Sequence, residues 1–188
     1  MKRTPLDRPH VWVSPLVYLQ AAALCLLLPL QWALALAVSV AVHEASHILM
    51  FRLLKLPINE IRVYPMGVRI LSPALTPREE LLCAAAGPLG GAGLILLAGV
   101  FPAVALCGAF HSLYNLLPFR SSDGGRILRS LCVGKLHGKL AVALPGAVEW
   151  VVGAGIVLVG LYGSLRLRLG LLPVLLGCCA LWNPRRCK

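Results

Sequence analysis

The sequence predicts an all-α polytopic membrane protein with about six transmembrane helices and a small β-hairpin. Of the 188 residues, 59% are hydrophobic and only 13% are charged, about half the charged share of a soluble domain. No Asp, Glu, Lys or Arg occurs from Pro9 to Val42 or from Leu81 to Phe119. Because one bilayer crossing needs roughly 20 apolar residues, each stretch is long enough for more than one. We expect one membrane-embedded domain, 1–188.

Breaks in the apolar pattern divide this domain into spans. The first apolar region, 11–54, would form a helix about 66 Å long, twice the ~30 Å of hydrocarbon, and Pro29 is its natural break. The region is also too long for the apolar core of a secretory signal peptide, so we expect a retained anchor. The predicted spans lie near residues 13–29, 32–53, 87–103, 106–119, 145–163 and 169–183.

The basic residues are distributed as in a membrane protein. The net charge is +11, yet the Lys and Arg residues flank apolar spans and form no groove-reading helix, which argues against nucleic acid as a partner. If the chain crosses the membrane six times, both termini lie on the same side. Sixteen of the 18 Lys and Arg residues then lie on that side too. The positive-inside rule therefore predicts a cytoplasmic N- and C-terminus.

Two local patterns lie in the long inner segment after the second span. Residues 58–72 alternate apolar and polar side chains around a Pro/Gly turn, which predicts a β-hairpin near the active site described below. Its edge could either capture an unwound substrate or serve the structure alone. Thr76 and Glu79 have capping-box spacing, with Pro77 at the first helical position, and predict a helix start.

The sequence His43-Glu44-Ala45-Ser46-His47 is an HExxH motif. Histidines at i and i+4 of a helix project from one face, so both can bind one Zn²⁺. In such sites the glutamate takes a proton from the metal-bound water. The alternative is an accidental match, but three ionisable groups within one span are costly unless they are paired or bind a metal.

A catalytic zinc also needs a third protein ligand. Asp123 is the only acid between Glu80 and Glu149, and Gly124 and Gly125 follow it, permitting a tight turn or a close backbone approach. The alternative interpretation of Asp-Gly-Gly is an ordinary loop turn. Because the HExxH motif supplies only two ligands, we expect Asp123 to be the third ligand of a single zinc ion.

HExxH in the second span, followed by Asn115-x-x-Pro118-x-x-x-x-Asp123-Gly-Gly, resembles the site-2 protease family of intramembrane zinc metalloproteases. The most similar branch is the compact six-span one that contains the bacterial sporulation protease acting on a sigma-factor precursor. The resemblance implies His43, His47 and Asp123 as zinc ligands, Glu44 as general base, and Asn115 as a substrate-binding or oxyanion-stabilising amide. It also implies a bacterial cell membrane and a membrane-embedded or membrane-associated protein substrate, with a regulatory membrane partner left open.

Two other functions remain as alternatives. A non-proteolytic zinc-binding scaffold would need no general base, so the intact Glu44 argues against it. A metal transporter would need polar ligands along several spans, and the sequence offers only His111 and Asn115 beyond the motifs. We interpret His111 as a hydrogen-bonded histidine between helices, with gating or tuning of the site as the alternative, and the glycines from Gly87 to Gly93 as a small-residue helix face.

Overall fold

This computed structural model describes residues 9–65 and 67–166. These residues form six α-helices and a three-stranded sheet. The sheet and the first helices alternate along the chain, and the second half is helical. In order the elements are β1 (His10–Val13), α1 (Pro15–Leu27), α2 (Leu30–Leu53), β2 (Glu60–Tyr64), β3 (Gly67–Leu71), α3 (Pro77–Gly93), a 3₁₀ turn (Leu94–Leu97), α4 (Pro102–Asn115), α5 (Asp123–Lys135) and α6 (Lys139–Arg166).

Three helical segments in this described part are long and apolar enough to cross a membrane: Leu30–Leu53, Pro77–Leu97 and Lys139–Arg166. Their apolar side chains largely face outward; in α6, Val151 and Leu165 are each 72% exposed. A surface this apolar is suited to lipid, so the chain is a predominantly helical membrane protein, as predicted. The count of six spans stays a prediction, and the span expected near 169–183 lies outside the described residues.

The predicted hairpin is present and is extended by a strand that was not predicted. Strands β2 and β3 pair antiparallel, with Val63 opposite Val68. Strand β1 pairs parallel with β2, giving the order β1-β2-β3. The first apolar region therefore begins with a strand, and its helix starts only after Ser14, with Pro15 at the first helical position.

The chain forms two compact units, Met1–Leu113 and Tyr114–Lys188. In the first unit, α3 is the principal packing partner of α2. The capping box predicted at its start is formed: Thr76 Oγ1 accepts from the backbone N–H of Glu79, whose carboxylate accepts from the backbone N–H of Thr76. The helix begins at Pro77, ten residues before the predicted start of the third span, and continues through Gly87 and Pro88.

In the second unit, α5 packs against α6. The Asp-Gly-Gly sequence, for which a turn was one interpretation, is instead the first turn of α5, capped by the hydroxyl of Ser122. The preceding loop lies directly on this turn, because a Cβ at Gly124 or Gly125 would overlap the carbonyl oxygen of Leu116 or Phe119 respectively. Both glycines are needed for that close backbone approach.

Replacing Gly125 by alanine should destabilise the protein, although alanine is the better helix former. The added methyl group would displace the loop at Phe119, and overpacking of this kind costs about 1–3 kcal/mol. Gly146→Ala in α6 is the matched control, because a Cβ there meets nothing within 4 Å. Reversible unfolding in detergent should show a loss for Gly125→Ala only; equal stabilities would contradict the packing described here.

Candidate metal centre

Helix α2 carries both histidines of the HExxH motif on its buried face. His43 is 2% exposed and His47 is 5% exposed. Their Nε2 atoms lie 3.2 Å apart. Two nitrogen ligands of one tetrahedral zinc ion, each bonded at about 2.0–2.1 Å, would be separated by roughly 3.3 Å. The two rings therefore point their Nε2 atoms at a common position with the spacing of a zinc site.

The ring orientation of His47 is fixed from helix α3. Its Nδ1 lies 2.7 Å from the carbonyl oxygen of Cys83. A carbonyl oxygen only accepts hydrogen bonds, so Nδ1 must carry the proton and donate it. The Nε2 lone pair is then available to a metal, which is the usual arrangement behind a ligating histidine. This contact was not predicted, because a backbone carbonyl leaves no mark on the sequence.

Gly87 lies beside the position at which the two Nε2 atoms converge. A Cβ at this position would overlap Nε2 of His47 and lie 2.8 Å from Nε2 of His43. Any side chain there would occupy the space of an ion. Interpreted from sequence as part of a packing face, Gly87 belongs to the site itself. No local sequence signal marks this role, because it depends on the distance between α2 and α3.

The Glu44 side chain reaches the hairpin. Its Oε1 accepts a hydrogen bond from the backbone N–H of Val68 in β3, at 3.3 Å. Gly67 is adjacent, and a Cβ there would lie 3.8 Å from the same oxygen. The edge strand β3 and the carboxylate of the motif are therefore neighbours, so the predicted hairpin does lie near the motif.

Asp123 is the first residue of α5 and is 7% exposed. Its carboxylate lies 3.4 Å from Nη1 of Arg126, one turn along the helix, and a negative charge is favoured at a helix N-terminus. Two buried histidines and a buried aspartate are a donor set that a catalytic zinc accepts. The place of Asp123, in the second unit, as the third ligand stays a prediction.

Helix α4 carries the two other residues that the sequence singled out, His111 and Asn115. His111 packs its ring edge-on against His43, with ring centroids 4.6 Å apart and an interplanar angle of 87°. Its ring neighbour is therefore a residue of the motif, and the choice between a packing and a tuning role for His111 stays a prediction. Asn115 ends α4 and is half-buried. Its contact with a substrate stays a prediction.

Alanine at Gly87 should abolish metal binding while leaving the helix intact, because the methyl group would take the place of the ion. Gly93→Ala, in the last turn of the same helix, is the control, since a Cβ there meets nothing within 4 Å. Bound zinc per purified chain, measured by elemental analysis, should fall to background only for Gly87→Ala. Stoichiometric zinc in that variant would place the metal elsewhere.

Comparison with known proteins gives a match at the level of fold. No protein-family model and no curated protein matches the chain. Among solved structures, the chain is similar to the site-2 protease from Methanocaldococcus jannaschii, with a TM-score of 0.62 and 21% sequence identity. The match covers 93% of this chain and 89% of that one. The chain therefore shares the fold of a site-2 protease.

Proposed function

We propose that the chain is an intramembrane zinc metalloendopeptidase of the site-2 type. It would hydrolyse a peptide bond of a membrane-embedded or membrane-associated protein. The observation that carries this proposal is the convergence of the buried Nε2 atoms of His43 and His47 beside Gly87, with Glu44 on the same helix. The shared fold supports it. Proteolysis in a bacterial cell membrane, with both termini cytoplasmic, belongs to the same proposal.

In this proposal His43, His47 and Asp123 hold one zinc ion. Zinc bound there would polarise the scissile carbonyl and lower the pKa of its bound water to about 7. Glu44 would act as the general base, taking a proton from the attacking water and passing it to the leaving amine. The Asn115 amide steadies the substrate or the developing oxyanion. Three buried candidate ligands fit the donor set of a catalytic zinc, which leaves a fourth position for water or substrate.

The substrate must also expose its peptide bond, because a transmembrane helix hides each carbonyl in an internal hydrogen bond. Strand β3 is an edge of the sheet, and its Val68 N–H already reaches Glu44. An unwound substrate segment paired with this edge would be held beside the general base. This placement favours the substrate-capturing role of the hairpin over a purely structural one.

The alternatives predict different behaviour. A zinc-binding scaffold predicts bound zinc without hydrolysis that depends on Glu44. A metal transporter predicts metal flux in liposomes, and a path of polar ligands beyond His111 and Asn115. We propose a regulator such as a transcription-factor precursor as one substrate class, since the branch that the motifs resemble acts on one; remnant signal peptides are another.

Glu44→Gln should abolish proteolysis without releasing the metal, because the amide keeps the size of the side chain but cannot accept a proton. General-base loss should lower the rate by about 10²–10⁴-fold. Purified wild type and variant would be compared on membrane-tethered substrates drawn from precursors that accumulate uncut in cells carrying the variant. Glu80→Gln, an acid outside the motif, is the control. Undiminished cleavage by a folded, zinc-loaded Glu44→Gln protein would refute the mechanism.

Asp123→Ala should weaken zinc binding by more than the roughly 10–100-fold that follows loss of a residue hydrogen-bonded to a metal ligand. Competition with a chromophoric chelator measures the affinity. Glu149→Gln is the control, because this acid of the same unit accepts from the backbone N–H of Arg120 and is outside the candidate metal group. Unchanged zinc affinity in Asp123→Ala would remove Asp123 from the ligand set and leave the two histidines.

A further inference from the structure

The two faces of the three-stranded sheet differ in chemistry, because side chains alternate between the faces along each strand. One face, called the aliphatic face below, carries Val11, Val13, Ile61, Val63, Val68 and Ile70. The opposite face, called the polar face, carries the charged and aromatic side chains of the sheet: His10, Trp12, Glu60, Arg62, Tyr64 and Arg69. The rings of Trp12 and Tyr64 are in contact there, with centroids 5.6 Å apart.

The charge on the polar face is unbalanced at the outer strand. Arg62 and Arg69 lie directly opposite each other on β2 and β3, and like charges in that arrangement destabilise a sheet. Arg62 is neutralised within its own strand, since its Nη2 donates to Oε2 of Glu60 at 2.9 Å. In the part of the chain that the structure describes, Arg69 has no carboxylate within ion-pair distance. Arg69 is therefore an unneutralised cation.

An aromatic ring holds the guanidinium of Arg69 on this face. Its central carbon lies 5.0 Å from the centroid of the Tyr64 ring. Stacking on a ring leaves the N–H donors of a guanidinium available, and their planar fork matches a carboxylate. The Arg69 side chain is also exposed. It can thus bind the carboxylate of another molecule without breaking an ion pair of its own.

The backbone of β3 offers two residues to an added strand. The N–H of Val68 points away from β2, toward Oε1 of Glu44. Outward-pointing backbone groups recur at every second residue of an edge strand, so those of Ile70 have the same orientation. A strand paired with Val68 and Ile70 would place one side chain beside Arg69 on the polar face. The two residues that flank it in sequence would lie on the aliphatic face.

We propose that Arg69 is a specificity-determining residue that selects, in the extended segment of the substrate, an acidic residue flanked by two apolar ones. This inference rests on the protease function proposed above. Opposite charges on neighbouring strands attract, and the apolar neighbours remove aliphatic surface of Val68 and Ile70 from water. Because Glu44 is hydrogen-bonded at Val68, the acidic residue lies close to the bond that is cut.

The test uses the full chain in detergent and two short labelled peptides that are identical except for a central Val-Asp-Val or Val-Lys-Val. Rapid-mixing fluorescence anisotropy, read before turnover, gives the two affinities. We expect wild type to prefer the Asp peptide by about fivefold, the scale of one cross-strand charge pair. Arg69→Glu should reverse the preference and Arg69→Gln should abolish it. High salt should also reduce the preference, because salt screens exposed charges.

Arg78→Glu is the matched control, because Arg78 is likewise exposed but lies at the start of α3, outside the sheet. It should keep the wild-type preference. The same two segments, placed next to the span of a membrane-tethered reporter, should differ in KM for cleavage, with kcat little changed.

Binding of neither peptide, equal binding of both by wild type, or an unchanged preference in Arg69→Glu would overturn the inference. If Arg69→Glu fails to fold, Arg69→Gln decides, since an unchanged preference in that variant has the same meaning. A preference that reverses with Arg69→Glu while neither reporter is cut would instead overturn the proposed protease and leave a charge-selective strand edge.

Discussion

Two imidazoles buried on an apolar helix set the requirements for the surrounding structure, because each ring nitrogen needs a partner where water is scarce. In the first unit those partners come from the neighbouring helix. Cys83 supplies a carbonyl to His47, and Gly87 leaves the space toward which both Nε2 atoms point. Without α3, Nδ1 of His47 would lose the Cys83 carbonyl that accepts its hydrogen bond. The packing of α3 against α2 is therefore a condition for the site.

The same packing follows from how helices associate in a bilayer. Lipid tails are as apolar as leucine, so helices gain little from burying large apolar residues and associate through close contacts at small ones. Gly87, Gly90 and Gly91 provide such contacts along α3: Gly90 against Ser46, and Gly91 against Ser112. Residues that appear in the sequence only as a packing face thus determine which polar atoms meet. At Gly87, close helix packing and the space beside the two Nε2 atoms depend on the same missing side chain.

The sequence was informative where the signal is local. The HExxH motif follows from helix periodicity, the hairpin from alternation around a turn, and the start of α3 from capping-box spacing. Strand β1 was missed because its partner β2 lies some fifty residues along the chain, and parallel pairing of distant strands leaves no local pattern. The first turn of α5 was ambiguous because Asp-Gly-Gly suits a turn as well as a capped helix. The roles of Gly87 and the Cys83 carbonyl depend on an interhelical distance that no sequence pattern encodes.

The partner that α3 gives to His47 has a consequence for how the site can vary. A backbone carbonyl such as that of Cys83 survives almost any substitution that preserves α3, so the orientation of His47 does not depend on the side chain at position 83. The position beside the two Nε2 atoms depends instead on the absence of a side chain at Gly87. A substitution at Cys83 that keeps the helix should therefore leave the two Nε2 atoms in place, whereas any substitution at Gly87 fills the position that they face. Of these two residues of α3, only Gly87 is constrained in its identity by the arrangement on α2.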